Sequence, residues 1–145
     1  MYSERRYIDA PYRRHFVEGS VMPKTVLIVD DNAFIRQALH KYFESEADFE
    51  VCGEAENGRD AIEAAKCLHP DLVVLDFSMP VMNGLDAARI LKDLIPTLPM
   101  ILYSAVGDKA IELLARSMGI SDLVSKSDPV CVLIRSARNV LCRAA

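Results

Sequence analysis

The amino-acid sequence predicts an α/β fold in which a parallel five-stranded sheet lies between two layers of helices. Three observations lead there. Short apolar runs alternate five times with segments of helical period, from residue 24 to near the end of the chain. The runs are apolar at nearly every position, as strands covered on both faces must be. No break separates the units, so each strand is joined to a parallel neighbour through a helical crossover, which gives a three-layer (βα)5 sandwich. The 145 residues suffice for one domain with a substantial core. A closed eight-fold barrel needs about 250.

Taken in order, residues 25–30 form an apolar run closing on acid and read as the first buried strand. Asn32 can cap the helix that follows, and Ile35, Ala38, Leu39 and Tyr42 are expected to form its buried face. Residues 49–55 read as the second strand, and Asn57-Gly58 as a turn signal. Ala61, Ile62, Ala65 and Leu68 give the second amphipathic helix. Residues 71–76 are the third buried strand, again ending in acid, and 79–84 a loop punctuated by Pro80 and Gly84. Leu85, Ala88, Leu91 and Ile95 give the third helix, stopped before Pro96. Residues 100–104 are the fourth strand. Ala110, Leu113, Leu114 and Ser117 give the fourth helix, with Gly119 at its C′ position. Residues 122–126 are the fifth strand. Asp128 can cap and Pro129 open the last helix, which is expected to bury Val130, Leu133, Ile134, Ala137 and Leu141.

Residues 1–22 stand apart. They carry Arg5, Arg6, Arg13 and Arg14 without a sustained apolar period, and Met22-Pro23-Lys24 looks like a natural start. The expectation is a leader or a flexible, disordered tail ahead of one domain at 23–145. A phosphate- or lipid-seeking arm is opposed by Glu4, Asp9 and Glu18.

Hydrophobic residues make up 51% of the chain and charged residues 26%, as in ordinary globular proteins. A net charge of −4 does not recommend direct nucleic-acid binding. No apolar run reaches the length of about 18 residues that a membrane span needs. The N-terminus lacks a secretory apolar core, so a cytoplasmic location is expected. Cys52, Cys67, Cys131 and Cys142 match no zinc spacing and are expected as buried or half-buried reduced thiols.

The polar residues fall at the carboxyl ends of the expected strands: Asp30 and Asp31 on the first, Asp76 on the third, Ser104 on the fourth, Lys126 on the fifth. Open α/β sheets bind ligands at those ends. Three carboxylates in one crevice repel one another unless a cation shares them. Hard oxygen ligands suit Mg²⁺ or Mn²⁺, which complete their shell with water and phosphate. An Asp carboxylate can also act as a nucleophile and become an aspartyl phosphate, and phosphoryl transfer asks mainly for positioning and charge neutralisation. Singly, each residue has a plainer reading: a cap for Asp31, nothing in particular for Ser104, solvated surface for Lys126. Their joint placement at four strand ends is what speaks for chemistry.

Residues 24–143 resemble the receiver domain of two-component response regulators. The likeness is carried by Val-Asp30-Asp31, Leu-Asp76-Phe-Ser-Met-Pro-Val-Met-Asn-Gly84, Tyr-Ser104-Ala and Ser-Lys126. The resemblance implies a flavodoxin-like sheet of order 2-1-3-4-5. It implies that Asp76 is the phosphoacceptor and also a metal ligand, that Asp31 binds the metal directly and Asp30 through water, and that the Ser78 backbone carbonyl completes the protein ligands. Ser104 becomes the switch hydroxyl, Lys126 the phosphate-pairing cation, and small Ala105 leaves room for the phosphodonor.

Two departures stand out. Ser127 follows Lys126 where the family has proline, so a cis peptide is not expected there. Leu123 takes the place of the family's switch aromatic. Ser78 and Val106, at the positions that tune hydrolysis, offer no carboxylate or amide to orient water, so modest self-hydrolysis at most is expected.

The resemblance therefore implies a signalling switch, with catalysis confined to its own phosphorylation and dephosphorylation. Its partners would be a sensor histidine kinase or phosphotransfer protein, and the resemblance leaves room for a homodimer through the face of the fourth helix, fifth strand and fifth helix, without fixing the oligomeric state. The chain ends at Ala145, so it is expected as a stand-alone receiver or as the receiver part of a longer regulator. Competing readings are a degenerate receiver acting as a scaffold and a haloacid-dehalogenase-type phosphatase. The latter wants a second Asp where Ser78 stands.

Overall fold

Five parallel strands run in the order β2-β1-β3-β4-β5, the order implied by the resemblance. They are β1 (Lys24–Val29), β2 (Phe49–Ala55), β3 (Leu72–Leu75), β4 (Met100–Ser104) and β5 (Asp122–Ser125). Each is followed by a helix: α1 (Ala33–Glu44), α2 (Gly58–Leu68), α3 (Gly84–Leu94), α4 (Lys109–Ser117) and α5 (Val130–Ala144). The structure is a computed structural model and describes residues 22–105 and 109–144. The expectations for residues 1–21 and for Val106 lie outside the described residues.

The three central strands are buried almost throughout, as their apolar runs require. Side chains alternate across the sheet and divide the core. Leu27, Val29, Val73, Leu75 and Leu102 face α2, α3 and α4. Val26, Ile28, Val74, Ile101 and Tyr103 face α1 and α5. The β1–β2 register shifts after Val26, leaving Cys52 as the extra residue of a bulge. Its thiol approaches the Val26 carbonyl at 3.5 Å.

Helix ends follow local chemistry. Asn32 caps α1, its side chain accepting from Phe34 and Ile35 N–H. The turn signal at Asn57 proves to be the N-cap of α2, and Asn83 caps α3 in the same way, each accepting from the N–H of an Asp three residues on. Both Asp side chains accept in return from the Asn amide. Gly119 has φ +92, and the N–H groups of Gly119 and Ile120 bond back to Arg116 and Ala115, a Schellman ending for α4. α5 begins at Val130, with Pro129 just ahead of it, and the expected Asp128 side-chain cap does not form.

Three expectations are corrected. In α1 the buried residues are Leu39 and Phe43, with Ile35 half-buried, while Ala38 and Tyr42 are exposed. Phe43 wins because its ring meets Phe49 of β2 edge to face at 5.2 Å. In α4, Leu113 and Leu114 are exposed, and the helix packs through Ala115, Ile111 and Met118. Of the cysteines only Cys52 is half-buried; Cys67, Cys131 and Cys142 are exposed free thiols on outward helix faces. No described helix is long and apolar enough to cross a membrane.

Candidate functional site

The strands stop one residue short of the acids. β1 ends at Val29 and β3 at Leu75, so Asp30 and Asp76 are the first residues past the sheet. Their backbones stay tied to it: Asp30 N–H donates to Ala55 O at 3.1 Å, and Asp76 N–H to Val29 O at 2.8 Å. Both side chains are buried in a crevice at the carboxyl ends, while Asp31 is exposed at its rim. Carboxylate oxygens of Asp30, Asp31 and Asp76 lie within 4.8 Å of one another.

Lys126 follows β5 and turns back over these acids. Its Nζ is 2.7 Å from Asp30 Oδ2 and 3.2 Å from Asp76 Oδ1. Its N–H donates to Ser104 O at 2.9 Å, locking the ends of β4 and β5 together. Ser104 is buried at the end of β4, and Ala105 beside it is exposed. The Lys126–Ser127 peptide is trans, as expected; the turn is held instead by Ser125 and Ser127, whose hydroxyls meet at 2.7 Å. Ser78 is exposed in the β3–α3 loop.

Burial pushes the Asp76 carboxyl above its ordinary value, and the charge of Asp30 adds to this against the pull of Lys126. Desolvation opposes the charged form of Lys126, yet its bonds to Asp30 and Asp76 leave the ammonium held above its ordinary value. The donor set fits a hard divalent cation. Asp30 Oδ2 is fully buried without a well-formed hydrogen bond, although the ammonium stands beside it. A lone pair in that condition, next to two further carboxylates, is suited to a metal or its water.

Two supports were not singled out from sequence. Arg36 reaches back from α1 to donate to Asp30 O at 2.6 Å, and its Nε lies 3.4 Å from Glu54. The available signal was a charged residue beside Ile35 on the inward side of α1. Gly84 lies so close to the Asp76 carbonyl that a Cβ would strike it, and its N–H donates to Phe77 O at 2.9 Å. The glycine is thus required by close approach to the acidic loop, not only by the turn.

The model of the response regulator receiver domain matches residues 26–136. The chain belongs to this family. Among curated relatives, it is 45% identical over 105 residues to the chemotaxis protein CheY of Thermotoga maritima, covering 72% of this chain and 87% of that one. It is 42% identical over 106 residues to a protein-glutamate methylesterase/protein-glutamine glutaminase of Methanosarcina acetivorans, covering 70% of this chain and 30% of that one. The receiver thus spans about a third of the methylesterases it matches. Among solved structures, the response regulator domain of Thermotoga maritima CheB superposes with a TM-score of 0.78 at 29% identity, over 83% of this chain and 97% of that one. The receiver fold, and membership of two-component signalling, follow from this agreement.

Proposed function

We propose that this receiver is a phosphorylation switch in which Asp76 accepts a phosphoryl group from a sensor histidine kinase or phosphotransfer protein. The observation that carries the reading is the convergence of Asp30, Asp31 and Asp76 within 4.8 Å, with Lys126 seated on two of them. An Asp76 oxygen attacks phosphorus, the phosphorus–nitrogen bond to the donor imidazole breaks, and the electron pair leaves with the ring. Lys126 pairs with a phosphoryl oxygen, and the Ser104 hydroxyl donates to another. Ala105, small and exposed, leaves the approach open. Asp30, Asp31, Asp76 and the Ser78 carbonyl would hold Mg²⁺ or Mn²⁺, which when bound neutralises the acids and the incoming phosphoryl charge. Contact with a second copy through α4, β5 and α5 belongs to the same reading and is favoured by the exposure of Leu113 and Leu114.

Acetyl phosphate with Mg²⁺ tests this by intact mass. The wild type gains one phosphoryl group and Asp76→Ala gains none. A wild type whose mass never changes, or an Asp76→Ala variant labelled as readily, overturns the assignment.

A further inference from the structure

Asp30 and Asp31 are consecutive, so the peptide between them sets how their carboxylates stand to one another. Asp30 itself is held by the sheet and by the start of α1. Its N–H donates to Ala55 O at 3.1 Å, and its Oδ1 accepts from Asn32 N–H at 2.9 Å, which leaves Oδ2 on the side of Lys126. The joining peptide is held by a side chain. Arg36, one turn into α1, donates from its guanidinium to Asp30 O at 2.6 Å. Helical side chains lean toward the N-terminus, so a long residue at that place can reach back over the end of its own helix. The placement has an electrostatic cost. A helix N-terminus disfavours a cation, and a guanidinium beside an acidic crevice repels any metal ion drawn there. Glu54 of β2 offsets both, its Oε1 lying 3.4 Å from Arg36 Nε. His40, one turn further along α1, stands 3.2 Å from the other Glu54 oxygen. The Arg36 side chain is only 17% exposed, so solvent screens this charge less than it would a surface arginine.

We propose that Arg36 is a positioning residue for the metal site: it fixes the Asp30–Asp31 peptide so that both carboxylates face one cation, and Glu54 neutralises the guanidinium so that this hold does not repel the ion. This rests on the receiver reading above and names residues, outside the acids themselves, that set its Mg²⁺ affinity. The Arg36 bond is to a backbone carbonyl and not to a carboxylate, so it acts through Asp30 and Asp31 and not on the ion. The carbonyl is an effective handle. Turning that peptide plane swings Asp31, which is exposed at the rim, while Asp30 stays anchored by β2 and Asn32. Glu54 precedes Ala55 on β2, so the strand that accepts from Asp30 N–H also carries the counter-charge. Indirect partners of this kind commonly change metal affinity by about ten- to a hundredfold.

Calorimetric titration of the full chain with Mg²⁺, beside melting curves in EDTA, tests this. Arg36→Met keeps an unbranched stem and loses both donor and charge; its Kd for Mg²⁺ is expected to rise about tenfold. Arg36→Lys restores a donor and a charge of shorter reach and recovers part of that loss. Glu54→Gln leaves Arg36 without its counter-charge. Its Kd rises about threefold at low ionic strength, and the difference from wild type closes in about 0.5 M KCl. A purely structural role for Arg36 would lower the melting temperature in EDTA and leave Kd unchanged. Wild-type affinity in Arg36→Met, an Arg36→Lys variant that binds no better than Arg36→Met, or a Glu54→Gln effect that salt does not reduce overturns the proposal. If the wild type binds no Mg²⁺, or Asp31→Ala binds it as tightly as the wild type does, the metal site itself falls instead.

Discussion

At Lys126 two buried acids share one ammonium, at 2.7 and 3.2 Å. Removing it leaves Asp30 and Asp76 facing each other without a counter-charge. Lys126→Met is expected to destabilise the metal-free fold by about 2 kcal/mol, below the range for a fully buried pair because the lysine side chain is part exposed. Urea unfolding at neutral pH measures this, and an unshifted midpoint refutes it. Asp76 carries the opposite lesson. Its folded value is raised, so the native state holds its proton more tightly than the unfolded chain does. Stability is therefore lost as pH rises from the ordinary carboxylate range through the raised value, and the loss persists at neutral pH. Asp76→Asn is expected to melt higher than wild type at pH 7, with the gap closing as pH falls below about 4. A gap that widens in acid contradicts the sign. Val81 is strained for a different reason. It is β-branched, has φ +69, and sits in a γ-turn closed by Met82 N–H on Pro80 O at 2.7 Å. Its side chain is 76% exposed and contributes little packing in return. Val81→Asn, which tolerates that region, is expected to raise stability by about 1 kcal/mol in the same urea assay.

Among the elements, α2 and α3 open with the same sequence box, Asn-Gly-x-Asp, at 57–60 and 83–86. In each the glycine is buried against the β3–α3 loop: Gly58 under Met82 O, Gly84 under Asp76 O. Gly84→Ala forces the Asp76 carbonyl to shift, at a cost of about 1–3 kcal/mol, and is expected to weaken the proposed Mg²⁺ binding besides; thermal unfolding and metal titration read the two effects separately. Helix existence was legible in sequence, and so were the Asn32 cap and the Gly119 ending, because Asn and Gly act locally; the caps at Asn57 and Asn83 were not read as such. Helix faces were less legible. In α1, Ile35-Ala38-Leu39-Tyr42 and Ile35-Leu39-Phe43 are both sound helical stripes. Only the partner ring of Phe49, on another element, chooses the second. In α4 the leucine pair drew the face toward Leu113 and Leu114, whereas the helix rests on Ala115, whose small side chain allows close approach to the core. Leu113→Lys with Leu114→Lys is accordingly expected to leave stability within about 0.5 kcal/mol of wild type and to remove any dimer formed with beryllofluoride. Sedimentation shows whether a dimer exists to be lost.

At the scale of the whole molecule, parallel crossovers return every strand to the same pole, so strand-end residues collect there whatever their separation in sequence. That is why Asp30, Asp76, Ser104 and Lys126 could be placed together from sequence, across a span of nearly a hundred positions. What could not be read was the resting pairing, because the reach of Lys126 depends on how the turn after β5 is built, and here Ser125 and Ser127 build it in place of a proline. The same convergence makes the domain's stability a test of the proposed metal site. Three carboxylate oxygens within 4.8 Å repel in the metal-free fold, and a cation that binds the folded state alone stabilises it by mass action. At a Mg²⁺ concentration a hundredfold above Kd the gain is about 2.7 kcal/mol. Asp31 is exposed, so replacing it is expected to leave the fold intact while removing one of the proposed ligands. If Asp31→Ala weakens binding tenfold, the gain at that same concentration falls to about 1.4 kcal/mol. Chemical unfolding of both proteins with and without Mg²⁺ therefore separates the site from the scaffold. Equal Mg²⁺ increments in the two would place the cation elsewhere.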